Sequence, residues 1–333
     1  MNTLVLSQEE IRQLLPMAPC IEIMEEVLIT LAEGNAVNPL RNGIRLPDDL
    51  GIFGMMPAYL GEPETFGVKA VSVFPGNHGT EYDSHQGVVV LFETKHGLPE
   101  AILDASEITA IRTAAVTAVA TKLLARKDSR NLAIIGTGVQ AMTHLEAMAL
   151  AFDLQRTTVF SPNEAHRSAF SEYARSKLSL DVTTAQSVEQ AVEGADVICT
   201  TTSSKDPIVK GKWISPGCHV NAVGSSVRYA RELDTEAVLM SRLFVDRMES
   251  AVNEAGDFIF PKKEGALDET HIIGEVGDVL TGKIPGRNDP NDITLFKSLG
   301  LAVEDLRAAH YVVQRAKETG VGTYVDLGGR KHR

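Results

Sequence analysis

Hydrophobic and polar positions change rhythm twice along the chain. The rhythm is helical at first. Ser7 with Glu10 three residues on is a helix-start signature, and Ile11, Leu14 and Leu15 follow at helical spacing. Residues 20–32 carry Ile23, Val27 and Leu31 on one side, with Glu22, Glu25, Glu26 and Glu33 largely off it, which predicts a second amphipathic helix. Three apolar segments punctuated by Gly and Pro come next, at 52–57, 67–74 and 87–92, and predict strands of a mixed sheet. An Ala-rich helix over 114–126 opens the next rhythm. From the apolar run at 132–135 onward, strand patterns (158–160, 180–182, 196–200, 219–223, 243–246) alternate with helical ones (164–177, 187–193). Alternation at this spacing predicts βαβ units and a parallel sheet. One long helix over 298–317 closes the pattern, with Leu301, Leu306, Tyr311 and Val312 as its buried positions.

A length of 333 residues is about twice that of a usual single domain, so two domains are expected. Lys and Arg number 32 against 44 Asp and Glu, a net charge of −12 that argues against the basic face a nucleic-acid binder needs. No apolar run approaches the roughly 20 residues of a membrane span, and the first ten residues lack the basic and apolar regions of a signal peptide. Cys20, Cys199 and Cys218 are far apart with no CxxC pair, which suits a cytoplasmic protein without a disulfide framework. Nine histidines without an HxxxH or HExxH arrangement predict no metal site.

Chemistry concentrates at residues 136–141. Gly136, Thr137, Gly138, Val139, Gln140 and Ala141 follow a strand and open a helix, in the GxGxxA form of the dinucleotide fingerprint. The first Gly permits the tight turn, the second lets backbone approach a pyrophosphate, and the small third residue packs helix on strand. At the end of the next strand an acid would bind the ribose 2′-OH of NAD. This chain offers Ser161, Asn163 and, shortly after, Arg167, a set friendlier to a 2′-phosphate, so NADP (as NADPH) is favoured with NAD also open. The plainer reading of Arg167 is a solvated helix charge. Thr201 and Thr202, at the tip of the fourth strand of this series, are expected along the cofactor.

A nicotinamide enzyme also needs an anchor and a proton donor for its substrate. Lys69 sits inside an apolar strand, where burial would depress its pKa, unless it faces outward as strand lysines usually do. Arg112 and Arg41 could each hold a carboxylate in their planar forks.

Taken together the motifs resemble the ornithine cyclodeaminase/μ-crystallin family nearly end to end. The resemblance is carried by ITAIRTAAV at 108–116, GTGVQA at 136–141, NAVGSS at 221–226 with RELD at 231–234, FKSLGLAVEDL at 296–306 and GVGT at 320–323. It implies an α/β protein: a Rossmann NAD(P)-binding domain over 114–305, and an α+β substrate-binding and dimerisation domain over 1–113, completed by the C-terminal helix in 306–333. It also implies a homodimer. Arg41, two residues after Pro39, matches the family's carboxylate ligand, and Lys69 and Arg112 match its other two cations. One departure bears on the branch. Cyclodeaminases carry an Asp after NAVGG or NAVGA, and this chain has Ser226 there, as μ-crystallin-like reductases do. A carboxylate can take a proton from an ammonium, and a neutral hydroxyl is poorly suited to it.

The expectation is therefore an NAD(P)H-dependent reductase that converts a small α-imino acid to the L-amino acid, with Lys69, Arg112, Arg41 and Ser226 in the chemistry and Val223 and Gly224 beside the cofactor. Pyrroline-2-carboxylate, piperideine-2-carboxylate and iminosuccinate all suit one carboxylate clamp. For a dicarboxylate, His78, Arg228 or Arg231 are the further cations, unless they are solvated loop charges. Alanine-dehydrogenase-like reductive amination, ornithine cyclodeamination and a non-catalytic small-molecule-binding protein are the alternatives, and three converging cations speak against the last.

Overall fold

The computed structural model describes residues 2–77 and 79–329. The chain divides into two compact units, residues 1–112 with 301–333, and residues 113–300.

The first unit opens with β1 (Asn2–Leu6) and α1 (Gln8–Leu14). Here Ser7 Oγ accepts from the Glu10 N–H, while the Glu10 carboxylate accepts from the Ser7 N–H. The second helix, α2 (Met17–Ala32), starts earlier than the apolar repeat suggests, with Pro16 at its N-cap and Pro19 tolerated in its first turn. The strands β2 (Ala36–Val37), β3 (Asn42–Arg45), β4 (Ile52–Gly61), β5 (Glu64–Val73), β6 (His85–Phe92) and β7 (Pro99–Asp104) follow, and then α3 (Ala105–Leu124), whose residues belong to both units.

The second unit runs through β8 (Asn131–Ile135), α4 (Val139–Ala151), β9 (Arg156–Phe160), α5 (Glu164–Leu178), β10 (Val182–Thr184), α6 (Val188–Val192), β11 (Val197–Thr200) and β12 (His219–Ala222). It ends with α7 (Thr235–Leu239), β13 (Ser241–Val245), α8 (Met248–Glu254), α9 (Gly256–Lys263), β14 (Ile272–Glu275), α10 (Val276–Leu280) and β15 (Ile293–Lys297). The chain then returns to the first unit as α11 (Ala302–Thr319) and β16 (Thr323–Asp326).

In the first unit the strands form a mixed sheet of order β16-β1-β7-β6-β5-β4-β2, with β3 also on β4. Among the described residues of this sheet β1 and β7 run parallel and the other pairings are antiparallel. Period-two alternation buries Met56, Ala58 and Leu60 of β4, Lys69 of β5, and Val89 and Leu91 of β6 on one face. The helix α11 packs on β4, β5 and β6, with α2 against it. Its buried positions Asp305, Ala309, Val312 and Ala316 recur at helical spacing.

The second unit is a wholly parallel sheet of order β10-β9-β8-β11-β12-β15-β13-β14. Ile135, Ile198, Val220, Leu243, Leu295 and Phe258 belong to its core. Strand order reverses between β8 and β11, and the crevice at the carboxyl ends of strands at such a point is where α/β proteins take their ligands.

The Ala-rich helix expected over 114–126 is part of α3 and begins at Ala105, and two further boundaries differ because hydrogen bonds claim the backbone there. The last helix begins at Ala302 rather than at 298. The Ser298 N–H still bonds Ala222 O in continuation of β15, Asp246 Oδ2 accepts the Leu299 and Gly300 N–H groups, and Gly300 takes φ +81°. The strand expected over 180–182 lies at Val182–Thr184, because Ser179 closes α5 in the left-handed region and the Leu180 N–H turns back to Ala174 O. Among the described residues the three cysteines are free and buried, and no helix is long and apolar enough to cross a membrane.

Candidate active-site residues

In the first unit the structure brings Lys69 and Arg112 onto the same acid, Asp305, and the charge of Arg41 is felt at Lys69. Lys69 faces inward, between its register partners Met56 and Val89, and is only 3% exposed. Its Nζ lies 2.6 Å from Asp305 Oδ2 in an ion pair and donates to Thr109 Oγ1 at 3.3 Å. Arg112 lies three residues beyond Thr109 on α3, and is likewise buried. It donates from Nε to Asp305 Oδ1 and from Nη1 to Glu304 Oε2, both at 2.8 Å. Glu304 and Asp305, both fully buried, occupy the first turn of α11, where the helix macrodipole favours negative charge. Asn38 Oδ1 accepts the Val303 N–H at 3.1 Å and so ties the segment leading to Arg41 to the start of the same helix.

Burial pushes the Lys69 ammonium down, Asp305 opposes this, and the charges of Arg112 and Arg41 add to it, leaving a pKa of about 8 against an ordinary 10.5. Lys69, Arg112 and Arg41 set against Glu304 and Asp305 sum to one positive charge, the complement of one carboxylate. Glu304, Asp305, Thr109 and Asn38 were not singled out from sequence. The legible signal is Asp305 on the apolar stripe of α11, a position where an acid needs a buried cation.

The second unit holds the remaining candidates. Gly136 takes φ +121°, and a Cβ there would stand 2.9 Å from Thr201 O. Gly138 has an ordinary φ of −80°, yet a Cβ there would meet nothing within 4 Å. No side chain caps α4 at Gly138, although Asn163, Ser187 and Asp234 cap α5, α6 and α7. Open space before side-chain-uncapped N–H groups fits a pyrophosphate. Val139 is 54% exposed at the start of α4, whereas Ala141 is fully buried against the sheet, and Thr137 and Gln140 are half-buried.

At the tip of β9, Asn163 Oδ1 is committed to the Ala165 and His166 N–H groups as the cap of α5. Ser161 is buried. Arg167 is not a solvated helix charge: it is 6% exposed, and its Nη1 donates to Ser161 O at 2.6 Å and Pro162 O at 3.3 Å. Thr201 Oγ1 donates to Ile135 O at 3.1 Å. Thr202, Val223, Gly224 and Ser226 lie in the loops after β11 and β12, Val223 buried and Ser226 half-buried. Arg231, a candidate second carboxylate ligand, is taken up by Glu264 at 3.0 Å, by Thr235 Oγ1 at 3.1 Å and by the Phe260 ring. Arg228 is exposed, and His78 lies outside the described residues. Among the described residues no cluster of His, Cys, Asp and Glu could hold a metal ion.

The model of the ornithine cyclodeaminase/mu-crystallin family matches residues 1–320. A Delta(1)-pyrroline-2-carboxylate reductase of Bacillus cereus is 34% identical over 325 residues, 97% of this chain and all of that protein. The ketimine reductase mu-crystallin of Mus musculus is 39% identical over 280 residues, 84% of this chain and 85% of that one. Among solved structures, the Thermococcus litoralis Delta(1)-pyrroline-2-carboxylate reductase in complex with NADH and L-proline superposes with a TM-score of 0.95 at 40% identity, covering 97% of this chain and all of that one.

Proposed function

Because this chain belongs to the ornithine cyclodeaminase/mu-crystallin family, we propose that it is an NAD(P)H-dependent imine reductase whose substrates are cyclic α-imino monocarboxylates, Δ1-pyrroline-2-carboxylate and its six-membered homologue, reduced to the L-amino acids. The observation that carries this reading is the buried lysine with a pKa of about 8 among two arginines and two acids. The sum of one positive charge favours a single carboxylate. Iminosuccinate carries a second carboxylate, which that single charge does not balance.

When bound, the reduced nicotinamide supplies a hydride to the C=N carbon. The protein's residues do the rest. Arg41 and Arg112 bind and orient the substrate carboxylate. Lys69 gives a proton from Nζ to the imine nitrogen, and Asp305 keeps that ammonium charged until it does. Ser226, a neutral hydroxyl, orients the substrate or the ring and takes no proton from an ammonium.

The uncapped start of α4 and the open space at Gly138 hold the pyrophosphate. NADPH is favoured over NADH because residues 160–163 at the tip of β9 offer no acid to a ribose 2′-OH. The protein works as a homodimer. Val37, Tyr59, Phe66 and Phe92 align across β2, β4, β5 and β6 on the sheet face away from α11, followed by rows of Pro57, Val68 and Val90 and of Met55, Ala70 and Val88. Val37 is 60% exposed and the Phe66 and Phe92 rings stack at 5.5 Å, an apolar face that a second copy would cover.

The test is oxidation of NADPH and NADH against pyrroline-2-carboxylate, piperideine-2-carboxylate, iminosuccinate, and pyruvate with ammonia or methylamine, with light scattering on the same sample for the dimer. Turnover confined to the cyclic imines is expected. Preference for iminosuccinate would refute the charge argument, and ammonia release from ornithine would refute the reductase reading.

A further inference from the structure

The dinucleotide unit contains a second buried ion network that the chemistry above does not use. Glu232 is fully buried and its carboxylate collects five donors. Oε1 accepts from the Thr202 N–H at 2.7 Å and from Thr202 Oγ1 at 2.8 Å. Oε2 accepts from Thr200 Oγ1 at 2.7 Å and from the Gly224 and Ser225 N–H groups at 2.8 and 3.3 Å. Thr200 ends β11 and Thr202 lies in the loop after it, whereas Gly224 and Ser225 follow β12. One carboxylate therefore bolts together two loops at the carboxyl ends of neighbouring strands. The approach is so close that a Cβ on Gly224 would fall 2.3 Å from the Thr202 nitrogen and 2.6 Å from Glu232 Oε1, which is why the loop has glycine there.

Glu232 is itself held. Its N–H and that of Leu233 donate to Asp257 Oδ1 at 2.9 and 3.0 Å, and Asp257 Oδ2 pairs with Lys297 Nζ at 2.9 Å. Lys297 Nζ in turn donates to Ser225 O, closing the circuit. Burial pushes the Glu232 carboxyl up, and Lys297 and the hydrogen bonds to Thr200 and Thr202 oppose it. Buried ions are a poor way to gain stability, since well-packed apolar side chains do as well or better. What they provide here is a fixed spacing between two loops.

The position of those loops gives the spacing a use. The adenosine ribose is read at the tip of β9, on one side of the phosphate turn after β8. The other half of a dinucleotide must then extend to the opposite side, over β11 and β12. We propose that Glu232 is a positioning residue: through Thr202, Gly224 and Ser225 it sets the two loops on which the nicotinamide half of the cofactor rests, and the placement of Ser226 next to them. This rests on the reading of the unit as an NAD(P) site.

Glu232→Gln keeps the volume but leaves one acceptor oxygen and turns an NH2 group toward N–H donors. Calorimetric titration of the full-length protein and the variant with NADPH or NADH, whichever the parent binds more tightly, and with the matching ADP-ribose (2′-phosphorylated for NADPH), which lacks the nicotinamide, separates the possibilities. The expected result is binding of that reduced cofactor weakened tenfold or more in Glu232→Gln, with binding of its ADP-ribose part within about twofold of the parent. Faster amide exchange in both loops is expected alongside. Equal weakening of both ligands would show a merely structural role, and no weakening of either would show no role; each overturns the proposal. If Glu232→Gln does not fold, Thr200→Val, which removes one donor to Glu232 at a fully buried position, is judged by the same ligand pair. A parent protein that binds neither ligand would refute the dinucleotide reading itself and this inference with it.

Discussion

Replacing Lys69 by Met removes one charge from a buried site while nearly keeping the side-chain volume, so packing is disturbed little. Two effects follow. The first is on turnover: loss of a positioned proton donor costs roughly 10²–10⁴-fold, with cofactor binding retained. The second is on stability. The folded-state pKa of Lys69 is about 8 and the ordinary value is 10.5. Between those limits the unfolded chain binds a proton that the folded chain does not, so stability rises with pH across the window. The gain is at most about 1.4 kcal/mol per pH unit, or about 3 kcal/mol over the whole window. Below pH 8 both states hold the proton and burial of the charge weighs fully against the fold; above 10.5 that penalty is gone. Lys69→Met has no such term. Urea unfolding of both proteins at pH 7.5, 9 and 10 should show the wild type gaining steadily on the variant, because titrations common to both cancel in the difference. A stability gap that stays constant with pH would sink the desolvated-lysine reading, whatever happens to turnover.

Asp305→Asn should cost about 3–5 kcal/mol in urea unfolding, because two buried cations lose part of their counter-charge. In surviving protein it should move the basic limb of kcat/KM down by one pH unit or more, an opposite charge at this range being worth roughly one to three. Gly138→Ala should leave Tm unchanged, since a Cβ there meets nothing, yet weaken NADPH binding about tenfold by filling the space the pyrophosphate needs. Gly136→Ala should instead lower Tm, its φ of +121° and the 2.9 Å approach to Thr201 O both opposing a side chain. Arg41→Lys should raise KM for the imino acid about tenfold in steady-state kinetics, with kcat little changed, because lysine cannot offer a planar fork.

Elements whose periodicity is local were legible. The capping box at Ser7, the Gly- and Pro-punctuated apolar segments of β4 to β6, and the strand–turn–helix at 131–141 each follow from a few neighbouring residues. Boundaries set by long-range hydrogen bonds were not. The N–H groups of 298–300 are claimed by Ala222 O and Asp246, residues far off in sequence, so a helical pattern there does not become helix. The same limit applies to the site. An arginine or lysine in an apolar run announces itself, but its counter-ion can lie anywhere in the chain. Asp305 is 236 residues from Lys69, and its only local mark is its place on the apolar stripe of α11. Arg167 misleads in the opposite way: its helix pattern reads as surface, and only the fold shows its guanidinium held by the carbonyls at the tip of β9.

The acid that touches no substrate is as much a part of the proposed chemistry as the lysine. A lysine buried without a partner falls to a pKa of about 5–6 and would be uncharged at pH 7, with no proton to give. One left on the surface stays near 10.5 and releases its proton reluctantly. Burial, Arg112 and Arg41 pull Lys69 down, Asp305 pulls it back, and the balance at about 8 leaves roughly nine molecules in ten protonated at pH 7. Because Asp305 also holds Arg112 Nε, one carboxylate governs both the proposed proton donor and a proposed anchor of the substrate. It can do so only from the first turn of α11: slipping that helix by one residue turns each position through about 100° and would swing Asp305 off the face that meets β5. The C-terminal helix therefore returns to the first unit carrying the counter-charge that holds the pKa of the strand's lysine up.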